Sequence, residues 1–183
     1  MGINLMKNKK SMMNRIKQRG FTAIELIIAL GVIAVLGGAL LKFGGGLMSS
    51  GKAKVNSDFI GMLVSTTRPL KSPGVGYANL TSTVVAGYID EGFVSGGTII
   101  NSYGSALVIT PVSFAGVPNN ALSIADGLYP SQDCNKTISS IGDSMLSVTV
   151  NGTSVKASGS PLNKATLQTA CSATSNSVVW TYN

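Results

Sequence analysis

Apolar and polar residues alternate along this chain in three regimes. From Phe21 to Phe43 the sequence FTAIELIIALGVIAVLGGALLKF is almost wholly apolar, with one acid, Glu25, and one base, Lys42. Its length matches a membrane-spanning helix, about 20 residues for roughly 30 Å of hydrocarbon. Beyond it, Lys52, Lys54, Asn56 and Asp58 alternate with Val55, Phe59, Ile60, Met62, Leu63 and Val64. Val55, Phe59 and Leu63 recur every four residues, the spacing of one face of an amphipathic helix. Pro69 and Pro73 mark the end of that pattern. One helix from Phe21 to about Thr67 would be roughly 70 Å long at 1.5 Å rise per residue. Its second half would lay its apolar face on a sheet.

Gly37-Gly38 and Gly44-Gly45-Gly46 interrupt this pattern. Each glycine costs about 1 kcal/mol relative to alanine in a helix. They read either as points where the helix melts or as small residues for close helix packing.

After Ser72 the regime changes to short apolar runs between turns. Val84 to Ile89 reads as a strand or a short helix. Ala106 to Thr110, Leu122 to Ala125 and Ser177 to Tyr182 read as strands. Asn151-Gly152, between the alternating runs Ser147–Val150 and Thr153–Val155, predicts a two-residue hairpin. Pro130 to Ile141 and Pro161 to Cys171 read as short helices. The fold class is therefore α+β, a long N-terminal helix whose C-terminal half packs on an antiparallel sheet. The expected division is 1–20 leader, 21–50 membrane or assembly helix and 51–183 globular domain, with 51–68 continuing the helix and 72–183 forming the loop and sheet region.

Charge changes the picture only at the N-terminus. The chain carries 14 basic and 7 acidic residues, but six of the basic ones precede Phe21 and no acid does. From Phe21 onward eight bases face seven acids, so the basic character belongs to the first twenty residues and gives no support to nucleic-acid binding. That basic stretch predicts a cytoplasmic N-terminus and a periplasmic domain.

With no histidine in the chain, a Ser-His-Asp triad, a Cys-His pair and the commonest zinc sites are excluded. No constellation supports catalysis, and no cofactor or metal is expected. Asp126, Asp133 and Asp143 lack calcium-loop spacing and read as solvated surface acids. Trp180 reads as a core residue of the last strand. The sequons at Asn79, Asn135 and Asn151 read as chance, and Gly74 and Gly76 complete no dinucleotide-binding motif. Cys134 and Cys171 lack redox or metal spacing. In an exported domain they would form a disulfide, worth about 4 kcal/mol in the chain-entropy model; in a cytosolic one they would be buried thiols.

An ordinary secretory signal would be cut after the apolar core, where Gly37, Gly38 and Ala39 offer a poor site. A plain anchor leaves Glu25 unexplained, because an intramembrane carboxylate is costly unless it lies near the interface. Gly20-Phe21-Thr22-Ala23-Ile24-Glu25-Leu26, behind a basic leader and before an apolar run, resembles the signature of type IV pilins. The resemblance implies cleavage between Gly20 and Phe21 by a prepilin peptidase that also N-methylates Phe21, and an assembly role for Glu25. Gly127 to Ile141, a hairpin, a second cysteine and a final strand ending in Trp180 and Tyr182 resemble, in order, the type IVb branch. That implies a Cys134–Cys171 disulfide fastening the C-terminal region. Phe21 is more typical of the type IVa branch, whereas a twenty-residue leader fits type IVb.

The function so implied is that of a filament subunit, a helical homopolymer of the chain with itself. Its partners would be the peptidase, an assembly platform and minor pilins, with the inner membrane holding it before assembly and an extracellular pilus after. Adhesion, aggregation, mating contact and DNA uptake stay open as roles of the filament. A minor pilin or type II secretion pseudopilin is the alternative within that machinery. A signal-anchored secreted binding domain is the alternative outside it.

Overall fold

The structure is a computed structural model that describes residues 51–183 and, before them, Ile27. Gly20, Phe21, Glu25, the rest of the apolar run and both glycine interruptions lie outside the described residues. Among the described residues no helix is long and apolar enough to cross a membrane.

The first described element, α1, covers 51–67. Its buried positions are Ala53, Asn56, Ser57, Phe59, Ile60, Leu63, Val64 and Thr67. These three- and four-residue steps make one continuous stripe. Val55, expected on that stripe, is exposed instead. A strict four-residue step lags the true helical repeat of 3.6, and the stripe passes through Ala53 and Asn56 rather than Val55. Ser57 and Thr67 hydroxyls donate to the carbonyls of Ala53 and Leu63, so these two polar members of the stripe are satisfied by the helix itself. The helix tightens into a 3₁₀ turn, Arg68–Leu70, which contains Pro69.

The connection to the sheet holds α2 (Ser82–Ala86) and a two-stranded hairpin, β1 (Val94–Ser95) and β2 (Thr98–Ile99). The Val84–Ile89 run thus starts as a helix. Thr81 caps α2 by accepting from the Val84 amide, and Ser82 Oγ accepts from the Ile109 amide, tying α2 to the sheet edge.

Five strands follow: β3 (Val108–Phe114), β4 (Val117–Tyr129), β5 (Ser147–Val150), β6 (Thr153–Lys156) and β7 (Asn176–Tyr182). The sheet is antiparallel with order β3-β4-β7-β5-β6, so the C-terminal strand lies in the middle. β3 and β4 extend well beyond the runs that predict them. Pro111 is tolerated because β3 is an edge strand, where a missing amide leaves no ladder bond broken. α3 (Ser131–Ile141) connects β4 to β5, and α4 (Lys164–Ala170) connects β6 to β7.

The inward face of β7 carries Val178, Trp180 and Tyr182, all fully buried. Trp180 stands opposite Ile124 on one side and Val148 on the other. Together with Phe59, Ile60, Leu63 and Val64 of α1 they form one hydrophobic core. The Tyr182 hydroxyl meets Thr67 Oγ1 at 2.8 Å, joining the last strand to the end of α1.

Candidate functional site

Three features of the domain bear on function: the seat of α1, a polar group beside its start, and the fastening of the C-terminal region.

The seat of α1 is fully occupied. Phe59, Ile60, Leu63 and Val64 are at most 6% exposed, and Phe59 stacks on Phe93 with ring centroids 4.1 Å apart. The apolar face of residues 51–67 is thus spent within the subunit, and burial of this kind holds the helix to the sheet at about 1.5–3 kcal/mol per large side chain.

The polar group collects around Asp126. Between Asp126 and Tyr129 the register of β4 shifts, Leu128 adopts a positive φ of 62° and turns outward, and Asp126 and Tyr129 both end on the buried side. A bulge of this kind re-aims side chains that strict alternation would separate. Asp126 Oδ1 accepts from Asn101 Nδ2 at 2.7 Å and from the Gly127 amide at 2.8 Å. Its Oδ2 accepts from the Tyr129 hydroxyl and from Asn56 Nδ2 of α1. Burial raises the Asp126 carboxyl above the ordinary value of 3.8, and the four hydrogen bonds oppose that rise. Burial, with the Asp126 carboxylate, also pushes Tyr129 well up. Beside it, Tyr103 is raised by burial and then by Asp133.

Asp126 and Asp133 are therefore buried, at 4% and 1% exposure, and not the solvated acids that their spacing suggested. The reason is tertiary: Asn56 and Asn101 come from distant segments to join Tyr129 as donors to Asp126, and Asp133 is buried beside Tyr103. Asp143 has a structural partner too, accepting from the Leu162 amide at 2.9 Å. Among the described residues no three His, Cys, Asp or Glu side chains stand close enough to hold a metal ion.

The fastening is the Cys134–Cys171 disulfide, which joins α3 to the end of α4 with a Cα separation of 5.8 Å across 37 residues of chain. Both cysteines are fully buried. One turn further along α3, Thr137 Oγ1 donates to the Ala53 carbonyl of α1. Trp180 is a core residue; its indole N–H is buried without a hydrogen-bond partner.

At the opposite end of α1, Lys71, Pro73, Gly74, Val117 and Pro118 line an open cleft of about 520 Å³. Gly76, beside it, has φ +68°, and a Cβ there would stand 2.2 Å from the Asn119 carbonyl oxygen. The Gly76 backbone approach therefore shapes this cleft.

Sequence reasoning missed the Asp126 group because its members are scattered from Asn56 to Tyr129. The only local signal was the close pairing of Asp126 with Tyr129 across Gly127.

The family model described as PilS N terminal matches residues 50–183. No curated protein matches the chain. Among solved structures, TcpA, a type IV pilin from Vibrio cholerae El Tor biotype, aligns with a TM-score of 0.51 at 19% identity, covering 74% of this chain and 99% of that one. A type IV b pilin from Salmonella typhi aligns with a TM-score of 0.47 at 22% identity, covering 76% and 99%.

Proposed function

Since this chain belongs to the PilS family of type IV pilins, structural proteins of extracellular pili and not enzymes, we propose that it is made as a prepilin, cut between Gly20 and Phe21, and polymerised through the helix at 21–50. Phe21 then carries the N-methylated amine. The processing peptidase, an assembly platform and minor pilins are its partners, and the inner membrane holds the subunit, domain outward, before assembly.

The observation that carries this reading is the completeness of the α1 seat. Phe59, Ile60, Leu63 and Val64 are buried in the domain's own core. Residues 51–67 consequently keep their apolar stripe inside the subunit, with Val55 the large apolar side chain left exposed. The long apolar stretch of the sequence is the Phe21–Phe43 run, which belongs in a membrane or a bundle of its own kind. Contacts between one subunit's stem and the next are heterologous, and repeated they give an open filament rather than a closed ring.

Glu25 has a defined task in such a bundle. A carboxylate in an apolar environment is costly alone and tolerable when paired. The cationic amine of Phe21 on an incoming subunit supplies the pair and sets the axial register. The test is Glu25→Ala in the native host. The variant is expected to be cleaved normally, giving a mature chain that starts at methylated Phe21, while surface pili seen by electron microscopy fall to a small fraction of wild type. Normal piliation of Glu25→Ala would remove Glu25 from assembly, and a mature chain beginning after residue 35 would reject the prepilin reading as a whole.

A further inference from the structure

The β5–β6 turn is Asn151-Gly152, the single Asn-Gly pair in the sequence. Both residues adopt positive φ, 49° and 81°, as a two-residue turn between the paired Val150 and Thr153 demands. Asn-Gly is also the most reactive sequence for spontaneous deamidation, since glycine leaves its own amide nitrogen open to attack the preceding side chain.

The Asn151 side chain is not idle in the fold. Its Nδ2 donates to the Ala170 carbonyl at 3.0 Å and to Asn176 Oδ1 at 2.8 Å. Its Oδ1 accepts from the Ser177 amide at 2.9 Å and from Ser177 Oγ at 3.3 Å. One amide thus joins the hairpin tip, the end of α4 beside Cys171 and the start of β7. Asn176 is itself held in orientation, because its Nδ2 donates to the carbonyls of Tyr129 at 2.9 Å and Ala173 at 2.8 Å. Its oxygen must therefore face Asn151.

We propose that Asn151-Gly152 is a self-modification site kept silent by this clasp: Asn151 deamidates when the disulfide-fastened C-terminal region opens, and the product cannot rebuild the clasp. In the reaction the Gly152 amide nitrogen loses its proton and attacks Asn151 Cγ. A nitrogen–carbon bond forms, the Cγ–Nδ2 bond breaks, and Nδ2 leaves as ammonia with that proton. Water then opens the succinimide at either carbonyl, giving aspartate or isoaspartate, with no change of oxidation state. Asn151 and Gly152 are exposed, so water reaches the turn. What the fold withholds is the rotation of the side chain toward Gly152, which requires all four of its hydrogen bonds to break.

The product is excluded by the same geometry. An aspartate lacks the two donated bonds and sets a carboxylate against the Ala170 carbonyl and Asn176 Oδ1. Asn176 cannot turn its amide to compensate while Tyr129 and Ala173 hold it. Isoaspartate adds a methylene to the backbone of a turn that has room for two residues.

The experiment uses full-length pilin in detergent at neutral pH, followed by peptide mapping for the mass gain at Asn151 and for isoaspartate. With Cys134–Cys171 oxidised, conversion is expected to be at least about tenfold slower than in the same chain unfolded in urea, because reaction proceeds only from the open fraction. Reduction and alkylation of the disulfide without denaturant are expected to speed it markedly. Equal rates in the oxidised folded and urea-unfolded chain would overturn the protection, and equal rates with and without the disulfide would overturn its link to the C-terminal region. The oxidised Asn151→Asp protein is expected to be cut faster by protease within residues 151–177; unchanged resistance would show that the clasp re-forms and would overturn the one-way product.

Discussion

At Asp126 burial and hydrogen bonding pull in opposite directions. Four donors satisfy its oxygens as an ionised group, yet its folded pKa lies above the ordinary 3.8, burial being the largest cause. For an acid whose folded pKa is raised, the stabilising contribution is complete below the unfolded pKa and is lost as pH rises through the folded one. Stability of the domain should therefore fall as pH climbs through the acid range. Asp126→Asn, which keeps the shape and removes the charge, should flatten that part of the profile. Thermal melts of the stem-free domain across the acid range check this, and a variant profile parallel to wild type would assign the slope elsewhere.

At this scale sequence reading succeeded where chemistry is local and failed where it is shared. Asn151-Gly152 announced its turn because the required positive φ values are a property of those two residues. Asp126 was misread because nothing near it in sequence reveals that Asn56 and Asn101 arrive as donors, and Asp133 because nothing near it reveals that it packs beside Tyr103.

Among the elements, α1 was legible from its 3.6-residue period, and its end from Pro69. The error at Val55 shows the limit of that signal. Periodicity locates a stripe to within one residue either way, and small or polar members such as Ala53, Asn56 and Ser57 are invisible to it although they are buried. Leu63, fully buried on α1, is where the helix–sheet contact is best tested. Leu63→Ala should destabilise the domain by about 2–5 kcal/mol, the range for deleting a packed leucine. Chemical denaturation measures it, and a loss under about 1 kcal/mol would mean that α1 is not held by this packing. The strands were found at their apolar centres but not at their ends. β4 runs to Tyr129 because the bulge at Leu128 lets the strand continue with both Asp126 and Tyr129 inward, an arrangement that alternation does not predict.

For the whole molecule, the division of labour between stem and domain makes a prediction that no single element does. The domain satisfies its own core, and its C-terminal region is fastened through Cys134–Cys171. A chain beginning at Ser50 should then be a soluble monomer by light scattering and should keep the disulfide. Fibres formed by that fragment would place the assembly contact in the domain and displace it from residues 21–50.

By itself the sequence determined the features that depend on neighbours along the chain: the apolar run behind Gly20–Phe21, the amphipathic stretch that ends at Pro69, the Asn151-Gly152 hairpin and the α+β class. Only the tertiary structure decided that the C-terminal strand lies between β4 and β5, that Val55 faces outward, and that Asp126 is buried among donors from three segments. The physical reason is the range of the forces concerned. Helical period and turn geometry are fixed by backbone sterics over a few residues. Strand order and the desolvation of a carboxylate depend instead on which distant residues close around it, and Asn56 and Asn101 meet Asp126 only once the domain has packed together.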